Sequence, residues 1–483
     1  MKKAIFFLLS VLCSLHTIAQ KETAWWYFGF KAGLNFNTLV DKIANDGSTV
    51  TNMPAAVTGP INTREGCCVV STYDGSLLFT TDGSTVYNKN NAVMTNGTGL
   101  LGSSSSAQSA ITFPKPGSTT EYYIITTPAS ETTQHGIRYS IVDISQSGGL
   151  GAVTTKNAVI KSGTLNENIA AVPHSNEEDY WIIHRSVRSF YVWAVTKDGV
   201  NLTHATYTEP SIANSVALAI IVSPDYTKIL STNGGGTNYV TADFDSSTGI
   251  ISGIKNHVDV VNIYSGTFSS NSKYFYAGGG RLNLNAYIVS WDDLRNSGTK
   301  FTKIFAGPSN LLRASDNRIY GIQCGSDPSS STKHLYVIED PDNGDTNAKY
   351  FPNYLVNGAH MGLPTFAAGF IRIKAKEQPF ACASHNRTYS VEIDLSGGNA
   401  PDKLEWYFGD GSAKITQAVT TSQSKYSQVY SYNNAGTYTI EVTPYKTDGT
   451  KLKTITMVAN IVGCTLKTNR MTRSDLLNSK QQQ

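Results

Sequence analysis

A turn followed by an apolar strand recurs six times along this 483-residue chain, and no other feature restricts its fold as tightly. The copies read VSTYDGSLLFTTDG from 70, FPKPGSTTEYYIITT from 113, PHSNEEDYWIIHR from 173, VSPDYTKILST from 222, FSSNSKYFYAGGG from 268 and RASDNRIYGIQC from 313. Their starts step by 43, 60, 49, 46 and 45 residues, near the lengths of propeller repeats. A second β run follows each, as in FYVWAVTKDG at 190 and NAYIVSWDD at 285. The set AAVPHSN, DYWIIHR, FYVWAVT and LTHATYT shows a whole unit. Four antiparallel strands repeated radially make propeller blades. Helical periodicity is nearly absent, so the fold class expected is all-β.

The ends supply a further unit. WWYFG (25–29), AGLNF (32–36) and PAAV (54–57) read as second, third and fourth strands without a first. GLPTFAAGF (362–370) reads as a first strand without the rest. Joined, they close a seven-bladed propeller over 24–374 and remove the open edge. A six-bladed ring with an N-terminal extension is the alternative.

Lys2 and Lys3, the apolar run Ala4–Leu15 and the small residues Thr17-Ile18-Ala19 form a secretory signal over 1–19. Cleavage after Ala19 predicts an extracellular, cell-surface or periplasmic protein. The run is too short to span a bilayer, and Leu12 before Cys13 argues against lipidation. Charged residues are 16% and net charge is +3, which argues against a nucleic-acid binder and its basic stripe.

WYFG occurs again in EWYFGDGS (405–412), followed by the turn Asp410-Gly411-Ser412. QVYSYNNAGTYTIEVTPY (428–445) reads as two strands around Gly436, with Tyr438, Ile440 and Val442 alternating. KLKTITMVANIVGC ends the unit. With Trp406 as its buried centre, 378–464 is expected to be a small immunoglobulin-like sandwich. The polar segment 465–483 reads as a frayed tail. This second unit looks like a PKD domain, carried by Trp406, Phe408, Gly409, Asp410, Gly411, Gly436 and Tyr438 as structural motif residues. The first resembles the propeller of exported Bacteroidetes proteins described as gliding-motility-associated. WYFGFKAGLNFN, TREGCCVVS, LLFTTDGSTVYNKNNAVMTNGTGLLG, SAQSAITFPKPGS and GLPTFAAGF carry that likeness. The resemblance implies export and adhesion or glycan contact. Relatives often add a C-terminal secretion and anchoring domain, for which the chain after Cys464 is too short.

Cys382 and Cys464 bracket the sandwich and are expected to form a disulfide, which an oxidising compartment permits; two free thiols are the alternative. Cys67, Cys68 and Cys324 are expected to be buried free thiols. Asp340, Asp342 and Asp345 in EDPDNGDTN resemble a calcium loop. Position twelve from Asp340 is Phe351 rather than a bidentate Glu, so a hairpin turn is expected and no metal. His174, His184 and His204 read as surface or packing residues. The Asp-box-like turns near 73 and 82 lack sialidase spacing. PKPGS at 114–118 and Gly278-Gly279-Gly280 lack the setting of a phosphate cradle. No catalytic residue and no cofactor is expected.

In a propeller the loops entering the innermost strands converge at the channel. Here they bring Arg64, Glu65, Ser106, Gln108, Glu167, Asn168, Asn214, Tyr264, Asn310 and His360 together. Convergent polar groups in a concavity are the default ligand site; channel waters and solvated loops are the plain alternative. The expected role is non-enzymatic binding or adhesion toward a glycan or envelope protein. A polysaccharide hydrolase would need Glu65 and Glu167 about 5–9.5 Å apart. A structural part of a surface or gliding-motility complex is the third reading.

Overall fold

The computed structural model describes residues 21–368 and 381–462, apart from 73–74, 177, 213, 235–237, 259–260, 280–284, 297–299, 308, 326–329, 385, 393–400, 421–424 and 453. The expected signal segment 1–19 and the expected tail 465–483 lie outside them. The described chain is almost entirely β.

Residues 21–368 form a succession of small antiparallel sheets. The first has three strands, Trp25–Phe28, Phe30–Ile43 and Thr49–Asn62. The three N-terminal runs are therefore strands, with Trp26 opposite Leu34 and Leu34 opposite Ala56. The last two are 14 residues long, a longer hairpin than AGLNF and PAAV imply. The second sheet starts at Cys68–Ser71 and the third at Ala110–Pro114. Their outer strands touch through one parallel bridge, Ala152 to Thr95, which merges four strands and four into eight. Later sheets start at Ala170–Pro173, Ala217–Val222, Ser265–Phe268 and Asn310–Arg313. The starting strands pack side by side in chain order, from Trp25–Phe28 through to Asn310–Arg313.

The sheet that starts at Asn310–Arg313 packs back on the first. Trp26 meets Tyr320 edge-on at 5.9 Å, Tyr354 Oη donates to Pro54 O at 2.6 Å, and Lys349 pairs with Asp46 at 2.8 Å. The cycle of sheets is closed by side chains and by single backbone bonds, Asn45 N to Tyr350 O at 2.8 Å and Phe30 N to Gly358 O at 2.9 Å; among the described residues no ladder joins the two sheets. GLPTFAAGF corrects the expectation of a first strand. Among the described residues no ladder joins it to Trp25–Phe28. Instead Pro364 bridges Cys67 in parallel, Thr365 N donates to Cys67 O, and Ala368 N donates to Ala171 O. Residues 361–368 thus run from the rim at Arg64 into the space between the starting strands.

Burial follows position. Second strands such as Tyr180–Ser186 and Ile319–Cys324 are buried almost throughout, because a neighbouring sheet covers each face. That is why they read as continuous apolar runs. Outer strands such as Ile250–Val258 are largely exposed. The turn between first and second strands is one recurring device. Gly75, Tyr226, Ser272 and Asn317 occupy its left-handed position, with φ of 92°, 60°, 59° and 68°. In each, that residue's N–H donates three residues back, at 2.9, 2.9, 3.0 and 3.0 Å. Only Gly takes this φ without cost, so three copies accept strain to keep the turn.

Residues 381–462 build a five-stranded sheet, in the order Ala381–Cys382, Ile455–Val462, Gly436–Tyr445, Lys403–Tyr407, Ile415–Ala418, and a two-stranded sheet, Arg387–Glu392 with Lys425–Tyr430. Both contribute to one core of Tyr389, Val391, Leu404, Trp406, Phe408, Tyr426, Ile440 and Val442. Trp406 is fully buried and its Nε1 donates to Gln417 Oε1 at 3.0 Å. Phe408 stacks on Tyr430 at 3.8 Å between centroids. Gly409 and Gly411 take positive φ, 76° and 86°. Asp410 caps its own turn through Ser412 N at 3.1 Å and accepts from Tyr430 Oη at 2.7 Å. One expectation is corrected. The strands flanking Gly436 are not a hairpin: Lys425–Tyr430 and Gly436–Tyr445 belong to different sheets, and Gly436 opens the second rather than turning the first. Tyr438 instead stacks on Tyr432 at 4.2 Å. Cys382 pairs with Val462; Cys464 and its expected disulfide lie outside the described residues.

Candidate functional site

The loops entering the starting strands bring most of the predicted polar ring together, and its hydrogen bonds show what the members do. Gln108 precedes Ala110–Pro114. Its Oε1 accepts from Ile169 N at 3.1 Å and Ile220 N at 2.9 Å, while Nε2 donates to Ile220 O at 3.1 Å. Asn168 is fully buried: Nδ2 donates to Arg185 O and Ala217 O, and Oδ1 accepts from Arg185 N at 2.7 Å. Glu167 is 5% exposed. Its Oε1 accepts from Ser130 N at 2.8 Å and Ser130 Oγ at 2.5 Å, and its Oε2 from Ala107 N at 3.2 Å. Ser106 Oγ is buried between Thr127 Oγ1, Pro128 O and Glu167 O. Edge strands present backbone groups that must be satisfied when buried, and these side chains do so across adjacent sheets.

The remaining members lie nearer the rim. Tyr264 Oη donates to Glu65 Oε2 at 3.1 Å. Burial, with Glu65 and Glu167 close by, pushes the Tyr264 hydroxyl well above its ordinary pKa. Tyr264 packs with Ala107, Cys324 and Met361 in a small apolar cluster. His360 is 2% exposed, with Nδ1 at 2.9 Å from Arg64 O and its ring 5.4 Å from Phe30. Arg64 N donates to Ser104 O at 3.2 Å, while its side chain is exposed. Asn214 is also exposed, on a turn before Ala217–Val222. Asn310 is buried on the starting strand of the sheet that closes the cycle.

Behind this layer is a cavity of about 150 Å³. Gln108 and Asn310 line it, with Thr23, the strand stretches Ile220–Val222, Ser265–Thr267 and Leu311–Arg313, and the inserted stretch Leu363–Ala368. The insert fills much of the space a channel would leave open. Ligand pockets for drug-sized molecules run to about 300–1,000 Å³, so this one is small.

The sequence assigns no role to Arg185 and leaves His184 between surface and packing. Arg185 is fully buried and donates only to neutral oxygens of Ser231, Val187, Thr232 and Asn233; burial pushes its pKa down to about 9. It ties the fourth sheet to the fifth. His184 beside it is fully buried, Nδ1 at 2.7 Å from Asn168 O, and burial lowers its pKa to about 4. It is a packing histidine, as expected. His174 stacks on Trp181 and His204 packs against Tyr191. Nothing in WIIHR separates a buried Arg from a surface one.

The Asp340–Asp345 stretch is a short 3₁₀ turn, Pro341–Asn343. Asp342 points inward: it accepts from Ser270 Oγ at 2.5 Å, Asn271 N at 3.0 Å and Asn317 Nδ2 at 3.0 Å. Among the described residues no group of three or more His, Cys, Asp or Glu is placed to hold a metal ion. Cys67, Cys68 and Cys324 are buried free thiols. No helix among the described residues is long and apolar enough to cross a membrane.

No protein family and no curated relative matches the chain. Solved structures that resemble it are propeller-like. A protein from Lactobacillus plantarum aligns at TM-score 0.43 and 9% identity, over 70% of this chain and 97% of that one. A candidate 6-phosphogluconolactonase from Bacteroides fragilis aligns at 0.44 and 12%, over 70% and 97%. The extracellular domain of a candidate one-component system from B. thetaiotaomicron aligns at 0.38 and 11%, over 92% and 56%.

Proposed function

We propose that this chain is an exported, non-enzymatic binding or adhesion protein, a seven-bladed propeller followed by a PKD-like sandwich that contacts a glycan or an envelope protein. The observation that carries the non-enzymatic reading is the state of the two candidate carboxylates. Both Glu167 oxygens accept hydrogen bonds from Ser130 and Ala107, and Glu65 holds Tyr264. A general acid and its partner must both be available to the scissile bond; Glu167 is instead engaged in joining sheets. Exposed Arg64 and Asn214 are the members of the ring that present side chains to solvent. A planar guanidinium and an amide suit sugar hydroxyls or a carboxylate-bearing partner.

The test is a glycan array probed with the secreted full chain, paired with a reducing-end assay on any glycan bound. Retention without release of new ends, weakened at least fivefold by Arg64→Ala, supports the reading. New reducing ends lost in Glu65→Gln would establish the hydrolase instead. Silence on the array with specific co-purification of one envelope protein would favour the structural role in a surface complex.

A further inference from the structure

We propose that Asn357 is a site of spontaneous deamidation whose conversion loosens the closure between the sheet that starts at Asn310–Arg313 and the first sheet. Asn-Gly occurs four times in the chain, at 96–97, 233–234, 343–344 and 357–358. In such a pair the Gly nitrogen can attack the carbonyl carbon of the Asn side chain, because no side chain on Gly blocks the approach. The N–H proton passes to solvent, the new N–Cγ bond closes a five-membered succinimide, and the Cγ–Nδ2 bond breaks as ammonia leaves with a proton from water. Water then opens either carbonyl of the ring, giving Asp or isoaspartate. The step consumes one water and needs no oxidant. The dipeptide is the same in all four pairs; its surroundings are not.

Asn233 is buried, its Oδ1 accepts from the Arg185 guanidinium, and Gly234 N donates to Val216 O at 2.8 Å. Asn96 is held at both ends of its amide, Nδ2 donating to Val153 O and Oδ1 accepting from Lys156 Nζ, each at 2.7 Å, and Gly97 beside it is buried. Gly344 N donates to Pro341 O at 3.3 Å, and Asn343 stands among Asp340, Asp342 and Asp345. The attacking nitrogen is negative once its proton is gone, so carboxylates nearby oppose it. Asn357 differs on each count. It is half-buried, and no Asp or Glu occurs between Asp345 and Glu377. Among the described residues neither its Oδ1 nor the Gly358 N–H has a hydrogen-bond partner. Its Nδ2 donates to Lys31 O at 3.1 Å and Thr58 Oγ1 at 2.9 Å, and Gly358 O accepts from Phe30 N. These bonds tie the chain leaving Lys349–Phe351 to the strands Phe30–Ile43 and Thr49–Asn62. A carboxylate cannot donate, so conversion to Asp removes the two amide bonds and sets a negative charge against the Lys31 carbonyl. Isoaspartate also adds a methylene to the backbone, just before the residue whose carbonyl Phe30 holds.

The full chain is aged in mildly alkaline buffer, native and in urea, and each Asn-Gly peptide is followed by mass spectrometry that separates Asn, Asp and isoaspartate. In urea the four should convert at similar rates, since only the local sequence is left to act. In the native protein Asn357 should lead the other three by about tenfold, a barrier difference of ~1.4 kcal/mol. Closure is read separately, as hydrogen exchange at the Phe30 amide. Exchange there should quicken as the native protein ages, and by about fivefold in Asn357→Asp, the worth of one hydrogen bond. Asn357→Gln can close only a six-membered ring, so its Phe30 exchange should not change with ageing. Native conversion led by Asn96, Asn233 or Asn343 overturns the proposal, as does an Asn357 rate no faster than theirs. Phe30 exchange left unchanged by Asn357→Asp overturns the link to closure. None of these outcomes depends on what the rim binds.

Discussion

The side chain of Gln108 closes a two-way hydrogen-bond pair on the backbone of Ile220, 112 residues away, donating to its carbonyl at 3.1 Å and accepting from its N–H at 2.9 Å. The same oxygen takes Ile169 N, so one residue fastens three sheets. Gln108→Ala removes three hydrogen bonds and strands two buried backbone donors; a loss of about 2–4 kcal/mol is expected. Urea unfolding of the full chain checks it. A change below about 0.5 kcal/mol, the scale of ordinary surface substitutions, would mean the clamp is incidental.

Acid should weaken the protein through His184. In the fold its pKa is about 4 against 6.5 for the free side chain, because burial disfavours the charged ring and Arg185 and Lys161 add repulsion. The unfolded chain takes up the proton first as pH falls. Stability is therefore intact above 6.5 and declines between 6.5 and 4, by about 1.4 kcal/mol per pH unit at most. Comparing urea midpoints at pH 7.5 and 5.0 in wild type and His184→Gln isolates the contribution. An equal acid shift in both would assign it to other groups.

The inserted stretch should be sensitive to one methyl group. A Cβ on Gly362 would stand 2.0 Å from Glu65 O and 2.3 Å from its carbonyl carbon. Those are backbone atoms and cannot rotate away. Gly362→Ala is expected to cost about 2–4 kcal/mol through overpacking and to speed proteolytic cleavage near 361–368. Wild-type protection of that stretch would show that the rim yields instead.

Thiol titration reads both cysteine expectations at once. Cys67, Cys68 and Cys324 are fully or almost fully buried, and burial raises the thiol pKa of the first two. A chain prepared from Gln20 onward should show no fast-reacting thiol at Cys67, Cys68 or Cys324 when native. Denatured without reductant it should show three if Cys382 and Cys464 are bonded, and five if they are not. A rapid native reaction that persists when Cys382 and Cys464 are both replaced by Ser would contradict the buried positions.

Much of the architecture was legible because the turn between first and second strands is local chemistry. Gly75 announces it, and the equivalent turns at Tyr226, Ser272 and Asn317 keep the pattern through spacing alone. Trp406 was legible as a core residue for a similar reason, standing within a short alternating strand. The members of the polar ring could be located, but their tasks could not. Gln108, Asn168 and Glu167 serve backbone groups on other sheets, and a partner 112 or 49 residues away leaves no local mark. GLPTFAAGF shows the limit most clearly. Its composition marks an extended segment, yet nothing in nine residues says which edge it will lie against. The free edge it meets belongs to Cys67 and Ala171 rather than to Trp25–Phe28.

The packing of the first sheet on the one that begins at Asn310–Arg313 has a kinetic consequence. Trp26 cannot find Tyr320, nor Asp46 find Lys349, until about 300 residues of intervening chain exist. Loop-closure entropy must be met before such contacts give anything back. The earliest-made hairpin is therefore secured on this side only late, and this face of Trp25–Phe28 waits until the sheet that starts at Asn310–Arg313 has been made. Nascent chains halted before residue 320 should bind holdase chaperones through that strand, and release should coincide with the arrival of Tyr320 and the 361–368 stretch.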